Sequence, residues 1–428
     1  MKNVLFIGDL RTAFNYGAIA TTETLINLIK NEKYNINIKY IDYKSLYHPT
    51  PPAGHPTHIK TSPKRIFIKK IKSYIPHSVK KYIKNIFRPA PIKQCDFVPY
   101  KYSQYESYFK QMEAGNILQY EKTMLEWADI IYINGEGNIV NGTDQYGKYR
   151  MGARYILFMA WVSKIKYNKT TLMVNHTVDP NNSNAFEMIS HIYPYLDEVY
   201  VREPLSLPIL DRYNITNGTF VPDALWAYKP SEHWEIPDIL KKEIDFSKPY
   251  ICIGDSSGFR NAYNKVKWNV PTVLGNIIDE LQKITPQIIF VDGYSGGNDD
   301  INKVIKEKHL GYVNLNNCSY HDLYHVLKRA QIFISGRWHA SILSILANTP
   351  ILLWGADSHK TRSLYTILDY PYPFFEVSTL PVNIEELIDT TKQIIKNKEQ
   401  IKTDIHKKSM VLSEKAIQNA KILSKYVN

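Results

Sequence analysis

With 428 residues, 44% of them hydrophobic and 13% aromatic, the chain can fill two packed cores, which excludes a disordered or fibrous protein. Three distant cysteines, Cys95, Cys252 and Cys318, make no metal or redox spacing and give no disulfide framework, as expected in a reducing compartment. The formal charge of +12 is concentrated between His58 and Lys93, where eleven Lys/Arg stand with no acid, so most of the chain is nearly neutral.

The N-terminal "MKNVLFIGDLRT" has an apolar stretch too short for a signal-peptide core. "YILFMAWV" from Tyr155 falls short of the ~20 residues a spanning helix needs. A cytoplasmic protein is expected. The first element is a strand from Asn3 to Gly8, followed by a polar turn, a helix pattern in "GAIATTETLINLIKN" and a second strand at Ile36. That order is a βαβ unit and requires a parallel sheet. The basic insertion at about 55–95 comes next. Its Lys and Arg interleave with Ile, Tyr and Phe around Pro76, which fits either a solvated loop or peripheral docking on an anionic membrane face. No recognition motif accompanies the charge, so nucleic acid is not an expected partner.

Buried parallel strands are predicted at "ADIIYING" (Ala128 to Gly135), "TTLMVNH" (Thr170 to His176) and "EVYVRE" (Glu198 to Glu203), with "FVPD" from Phe220 closing the series. A proline- and charge-rich stretch from Tyr228 to Lys248 marks a boundary. A second series follows: "YICIGDSS" at Tyr250, a helix from Val270 to Ile284, "IIFVDG" at Ile288, "YVNLN" at Tyr312, "QIFISG" at Gln331, "PILLWG" at Pro350 and "FFEV" at Phe374. The expected architecture is α/β, with two Rossmann-like doubly wound domains, 1–235 and 248–380, and C-terminal helices over 381–428. "ADIIYINGEGNI" and "AQIFISGRWHAS" echo each other and suggest equivalent strands whose carboxyl ends face a common cleft, the GT-B arrangement.

Chemistry-bearing residues gather at those strand ends. In "SGRWHAS", Ser335 and Gly336 lead into Arg337, a planar fork suited to carboxylate or phosphate, and His339, which exchanges a proton near neutral pH. Both stand at a predicted helix N-terminus, which attracts anions. "NGEGN" supplies Gly135 and Gly137 for close backbone approach and Glu136 as a candidate base. Asn15 and Gly17 lie in the first βα turn, which lacks the glycines of a dinucleotide fingerprint. Arg202, His176, Asp223 and Lys360 end or follow other strands. The cations imply an anionic donor; no His/Cys/Asp cluster has metal-ligand spacing, and no cofactor is expected.

"NYGA", "NGEGN", "YVREPLS", "VPDALW" and above all "SGRWHASILSILANTPIL" resemble the polysaccharide pyruvyl transferase family, from Asn3 to about Pro371 with the basic insertion outside. The resemblance implies a GT-B-like fold, and transfer of the enolpyruvyl unit of phosphoenolpyruvate to a sugar hydroxyl pair as a ketal. Such an enzyme serves bacterial capsule, exopolysaccharide or other surface glycan assembly, with a glycan or lipid-linked sugar as acceptor. It carries the family's arginine and histidine onto Arg337 and His339, and its upstream arginine onto Arg202. Here the usual N-x-G-D reads Asn15-Tyr16-Gly17-Ala18, and Glu136 interrupts the usual glycine triplet. In this reading Arg202, Arg337 and Lys360 hold the donor, His339 is the acid, and Glu136 or Asp223 activates an acceptor held by the N-terminal half. Those departures also fit a GT-B glycosyltransferase in which a nucleotide sugar is the donor and Glu136 the base. A glycan-binding protein that kept only the fold is the non-enzymatic alternative.

Overall fold

The computed structural model describes residues 1–13, 15–42, 97–140, 150–259, 267–293 and 299–427. The basic insertion, with its membrane-docking expectation, lies outside them. The N-terminal strands carry their apolar residues in runs because helices cover both faces. In β1 (Lys2–Asp9) five consecutive residues, Val4 to Gly8, are buried, and in β3 (Ile130–Glu136) all but Glu136 are. With β2 (Ile36–Asp42), β4 (Thr170–His176), β5 (Glu198–Val201) and β6 (Gly218–Phe220) they form a parallel sheet in the order β2-β1-β3-β4-β5-β6.

The second sheet is also parallel. It contains β7 (Tyr250–Ser256), β8 (Gln287–Val291), β9 (Gly311–Val313), β10 (Phe333–Gly336) and β11 (Ile351–Leu353), in the order β11-β10-β7-β8-β9. Each sheet therefore starts in its interior and reverses direction once. In the first, β1 lies between β2 and β3; in the second, β7 lies between β8 and β10. β3 and β10, the strands that echo each other in sequence, hold the same position beside the first strand of their sheets. Each reversal opens a crevice at the strand carboxyl ends, where ligands bind in open α/β sheets.

The two halves are knitted together. Tyr16, at the start of the Tyr16–Asn31 helix, is buried in the apolar core around β7 and β10, with Leu225 and Trp226. The C-terminal helices span both halves: Leu387, Ile394, Ile401, Ile405 and Leu412 pack into the core of the second sheet, and the chain then crosses so that Ala420, Ile422 and Leu423 pack into the core under Val4, Phe6 and Tyr132 of the first. The Asn419 side chain donates to Pro222 O at 2.9 Å, and Lys425 pairs with Glu198 at 2.8 Å. No helix among the described residues is long and apolar enough to cross a membrane.

One expected strand is missing. "FFEV" makes a single bridge, Phe375 against Trp354, and turns into a 3₁₀ segment at Val377. Its apolar run reflects burial of Phe375 and Val377 against the core rather than a ladder.

Candidate active site

Both reversal points open onto one cleft of about 140 Å³. From the first sheet it is lined by Asn15, Tyr16 and Gly17 after β1, Glu136 and Gly137 at the end of β3, and Arg202 after β5. From the second come Ser257 after β7, Gly293 after β8, Gly336 to Ala340 after β10, and Asp357 and Lys360 after β11. Arg150 completes the lining. Three helices begin here, Tyr16–Asn31, Trp338–Leu346 and Lys360–Leu368, so three helix N-termini add positive potential to four cationic side chains.

The deepest cation is Arg202, 1% exposed. Its Nε donates to Thr177 Oγ1 at 3.0 Å, and its Nη1 donates to Asp223 Oδ2 at 3.0 Å and Glu136 Oε1 at 3.2 Å. His339 Nε2 lies 3.0 Å from the same Nη1, and 3.3 Å from both Glu136 Oε1 and Asp223 Oδ2. With a lone pair on Nε2 the ring accepts from Arg202; with a proton there it donates to a carboxylate. The partner of this nitrogen thus depends on the tautomer of the ring.

The carboxylates are tuned by the same contacts. Burial pushes the Glu136 carboxyl up, but Arg202 and then His339 more than offset this and hold it below the usual range. Asp223 is fully enclosed, which also acts to raise it. His339, Arg202 and the Thr21 hydroxyl, which donates to it at 2.6 Å, hold it well below ordinary carboxylates. Trp338 Nε1 donates to Asp223 Oδ2 at 3.0 Å. Asp223 therefore ties Arg202 to the helix that carries His339.

Arg337 is arranged differently. Its Nε and Nη2 edge grips both oxygens of Asp255, on β7, while its backbone N–H donates to Ser335 Oγ at 3.1 Å. Lys360 Nζ donates to Asp357 Oδ1 at 2.8 Å, and Ser257 Oγ donates to the same oxygen at 2.8 Å. Burial of Asp357 acts to raise its carboxyl, but Lys360 holds it well below the usual range. Asp223 and Asp255 are buried and set back, and of the acids only Glu136 and Asp357 line the cleft, against Arg150, Arg202, Arg337 and Lys360, so the cleft presents more positive than negative charge to a ligand.

Most of the expected constellation thus converges: Asn15, Gly17, Glu136, Gly137, Arg202, Gly336, Arg337, His339 and Lys360 all line the cleft. Four expected residues do not. His176 is fully buried, hydrogen-bonded through Nε2 to the Tyr193 hydroxyl at 3.0 Å, and burial pushes its pKa down to about 3. It is a neutral core histidine packed behind Gly135, which likewise faces inward; a Cβ there would come within 2.6 Å of His176 Cβ. Ser335 and Asp223 are sealed a layer below the cleft and act on its lining, not on an acceptor. Sequence reasoning missed Arg150, Ser257, Asp255 and Asp357. "IGDSS" does place Asp255 and Ser257 at a strand end and was the available signal; Arg150 had none.

Solved structures with the same architecture align over nearly the whole chain. Sucrose-phosphate synthase from Thermosynechococcus elongatus superposes with a TM-score of 0.55 at 13% identity, covering 99% of each chain. UGT71G1 of Medicago truncatula, complexed with UDP-glucose, gives 0.53 at 12% identity, covering 100% of this chain and 98% of the other. MnaA of S. aureus with UDP gives 0.52 at 10%, covering 95% and 90%. At such identities the likeness establishes the fold, two Rossmann-like domains facing across a cleft in the GT-B manner. Curated proteins give no significant sequence match. The sequence profile of the polysaccharide pyruvyl transferase family matches residues 15–353, well over half the chain and every residue that lines the cleft except Lys360 and Asp357. On that match, the chain belongs to the polysaccharide pyruvyl transferase family and is a transferase.

Proposed function

We propose that the cleft takes phosphoenolpyruvate and transfers its pyruvyl unit to two hydroxyls of one sugar residue as a cyclic ketal. The observation that carries this reading is the convergence of Arg202, Arg337, Lys360 and Arg150 with His339 around a space of about 140 Å³. That volume is below the roughly 300–1,000 Å³ of pockets for drug-sized ligands, and it suits a three-carbon phosphate ester better than a nucleotide sugar.

Arg337 and Lys360 hold one anionic group of the donor and Arg202 the other, so charge neutralisation supplies the largest part of the catalysis. His339, protonated at Nε2, gives that proton to the methylene carbon, and positive charge develops at the adjacent carbon. A sugar hydroxyl adds there and loses its proton to Glu136, the ionised carboxylate that lines the cleft. The carbon–oxygen bond to phosphate then breaks. The second hydroxyl of the sugar adds to the same carbon, and its proton leaves with inorganic phosphate. The acceptor is a glycan or a sugar intermediate of its assembly. Docking of the basic segment on an anionic membrane would bring the enzyme to a lipid-linked acceptor and belongs with this proposal.

The test is ligand-induced stabilisation in parallel with phosphate release. Phosphoenolpyruvate is expected to raise the melting temperature where UDP, GDP, CDP and CMP do not. Stabilisation by a nucleotide and none by phosphoenolpyruvate would move the reading to glycosyl transfer on the same fold.

A further inference from the structure

The carboxylate behind Arg337 sits at an irregularity in the sheet. β7 and β10 pair as Cys252 with Phe333 and Ile253 with Ile334, but the next pair is Ser256 with Gly336. Three steps along β7 therefore match two along β10. β7 carries an extra residue at this point, a bulge of the kind that re-aims side chains beside active sites. Asp255 is one of the two residues between those pairs. Its carboxylate turns to the carboxyl end of β10, accepts from both Nε and Nη2 of Arg337, and is almost wholly buried. Ser335 of β10 bridges the two strands here: its Oγ accepts from Arg337 N at 3.1 Å and donates to Asp255 O at 3.3 Å.

We infer that Asp255 is a positioning residue for donor binding, fixing the plane and direction of the Arg337 guanidinium in the cleft. The inference rests on Arg337 holding an anionic group of the donor. A long arginine side chain loses much rotamer freedom when it binds a ligand, and a buried bidentate partner removes that freedom beforehand. The bulge is thus the sheet's means of turning one carboxylate under one guanidinium.

Asp255 also carries charge, and this makes the test sharp. A carboxylate that only neutralised Arg337 would oppose an anionic donor, so removing its charge would tighten binding. A positioning carboxylate gives the opposite sign. Binding of phosphoenolpyruvate and steady-state kinetics are to be measured for Asp255→Asn, Asp255→Glu, Arg337→Lys and the Asp255→Asn/Arg337→Lys double variant.

The expected result is a Kd and KM for phosphoenolpyruvate raised about 10-fold in Asp255→Asn, from loss of a charge-assisted bidentate pair, with a smaller change in kcat. The effect should shrink below about twofold in the Arg337→Lys background, because a positioning residue has nothing left to position. Asp255→Glu keeps the charge but shifts the guanidinium by a methylene, and is also expected to weaken binding. It serves as well should the Asn variant not fold. Unchanged or tighter binding in Asp255→Asn, wild-type binding in Asp255→Glu, or full additivity with Arg337→Lys would overturn the assignment. If Arg337→Lys alone binds phosphoenolpyruvate normally, the donor reading of Arg337 fails first and takes this inference with it.

Discussion

Glu136 holds a left-handed backbone conformation, φ 46°, that costs an L-residue roughly 1–2 kcal/mol relative to glycine. The family resemblance places a glycine there, and this backbone geometry is the physical reason. A carboxylate kept at such a position has a use, and its contacts with Arg202 and His339 point to proton transfer. Glu136→Gly is expected to leave stability within about 1 kcal/mol, since relief of strain offsets the lost ion pair and the greater freedom of the unfolded glycine. Turnover should still fall at least ~10-fold, as for a lost general base. Urea unfolding alongside initial rates checks both halves; an unchanged rate would leave Glu136 a counter-charge for Arg202. His339→Ala should cost roughly 10²–10⁴ in turnover while the protein still folds and binds donor within a few-fold. Near-normal turnover would remove His339 from the chemistry.

The Tyr16–Asn31 helix meets the turn after β10 with no room to spare. A Cβ added at Gly17 would stand 2.0 Å from His339 Nδ1. Only a glycine lets the helix start pass beneath the imidazole, and the contact joins the two halves through the reacting group. Gly17→Ala is therefore expected to displace the ring, destabilise by about 1–3 kcal/mol and lower turnover by more than ~10-fold, read from thermal melts and single-turnover rates. Wild-type values would mean that the halves slide apart at little cost. At this scale the sequence was informative wherever one segment carried its own signal. Most strands are marked by an apolar run ending in Gly or a polar residue, and Arg337 and His339 stand out as a cation and a titratable ring at a buried junction; β6 is not so marked, since it covers Gly218–Phe220 and ends where "FVPD" begins. Pairings across the chain left no such mark. Asp255 lies 82 residues from Arg337, and Asp223 lies 115 residues from Trp338. The same reason hid the burial of His176, since a histidine at a strand end looks alike whether it faces ligand or core. "FFEV" failed differently: burial alone made it apolar, and periodicity cannot separate that from a ladder.

Across the whole molecule the halves are also clasped at the border of the cleft, by residues that neighbour Arg202 and Lys360 in sequence. His359, immediately before the Lys360–Leu368 helix, reaches the first domain with both ring nitrogens, Nε2 at 2.9 Å from Glu203 Oε2 and Nδ1 at 3.3 Å from Asp179 Oδ2. Its backbone N–H donates to Asp179 Oδ2 at 2.9 Å, and Ser363 Oγ donates to Glu203 Oε2 at 2.8 Å. Burial acts to lower the imidazole pKa, but hydrogen bonds to Asp179 and Glu203 and their charges outweigh it and raise it from 6.5 to about 9. Because the folded pKa lies above the unfolded one, this stabilisation is complete below about pH 6.5 and is lost as pH rises through about 9. A shift of this size corresponds to roughly 3 kcal/mol. Melting temperature should therefore fall between pH 7 and pH 10 in the wild type, and fall less in His359→Gln, whose amide has no proton to lose in that range. The clasp sits one residue from Lys360, so donor KM should rise over the same interval while kcat changes less. If the two proteins lose stability in parallel from pH 7 to pH 10, other groups set the alkaline limit and His359 is only a neutral contact between the domains.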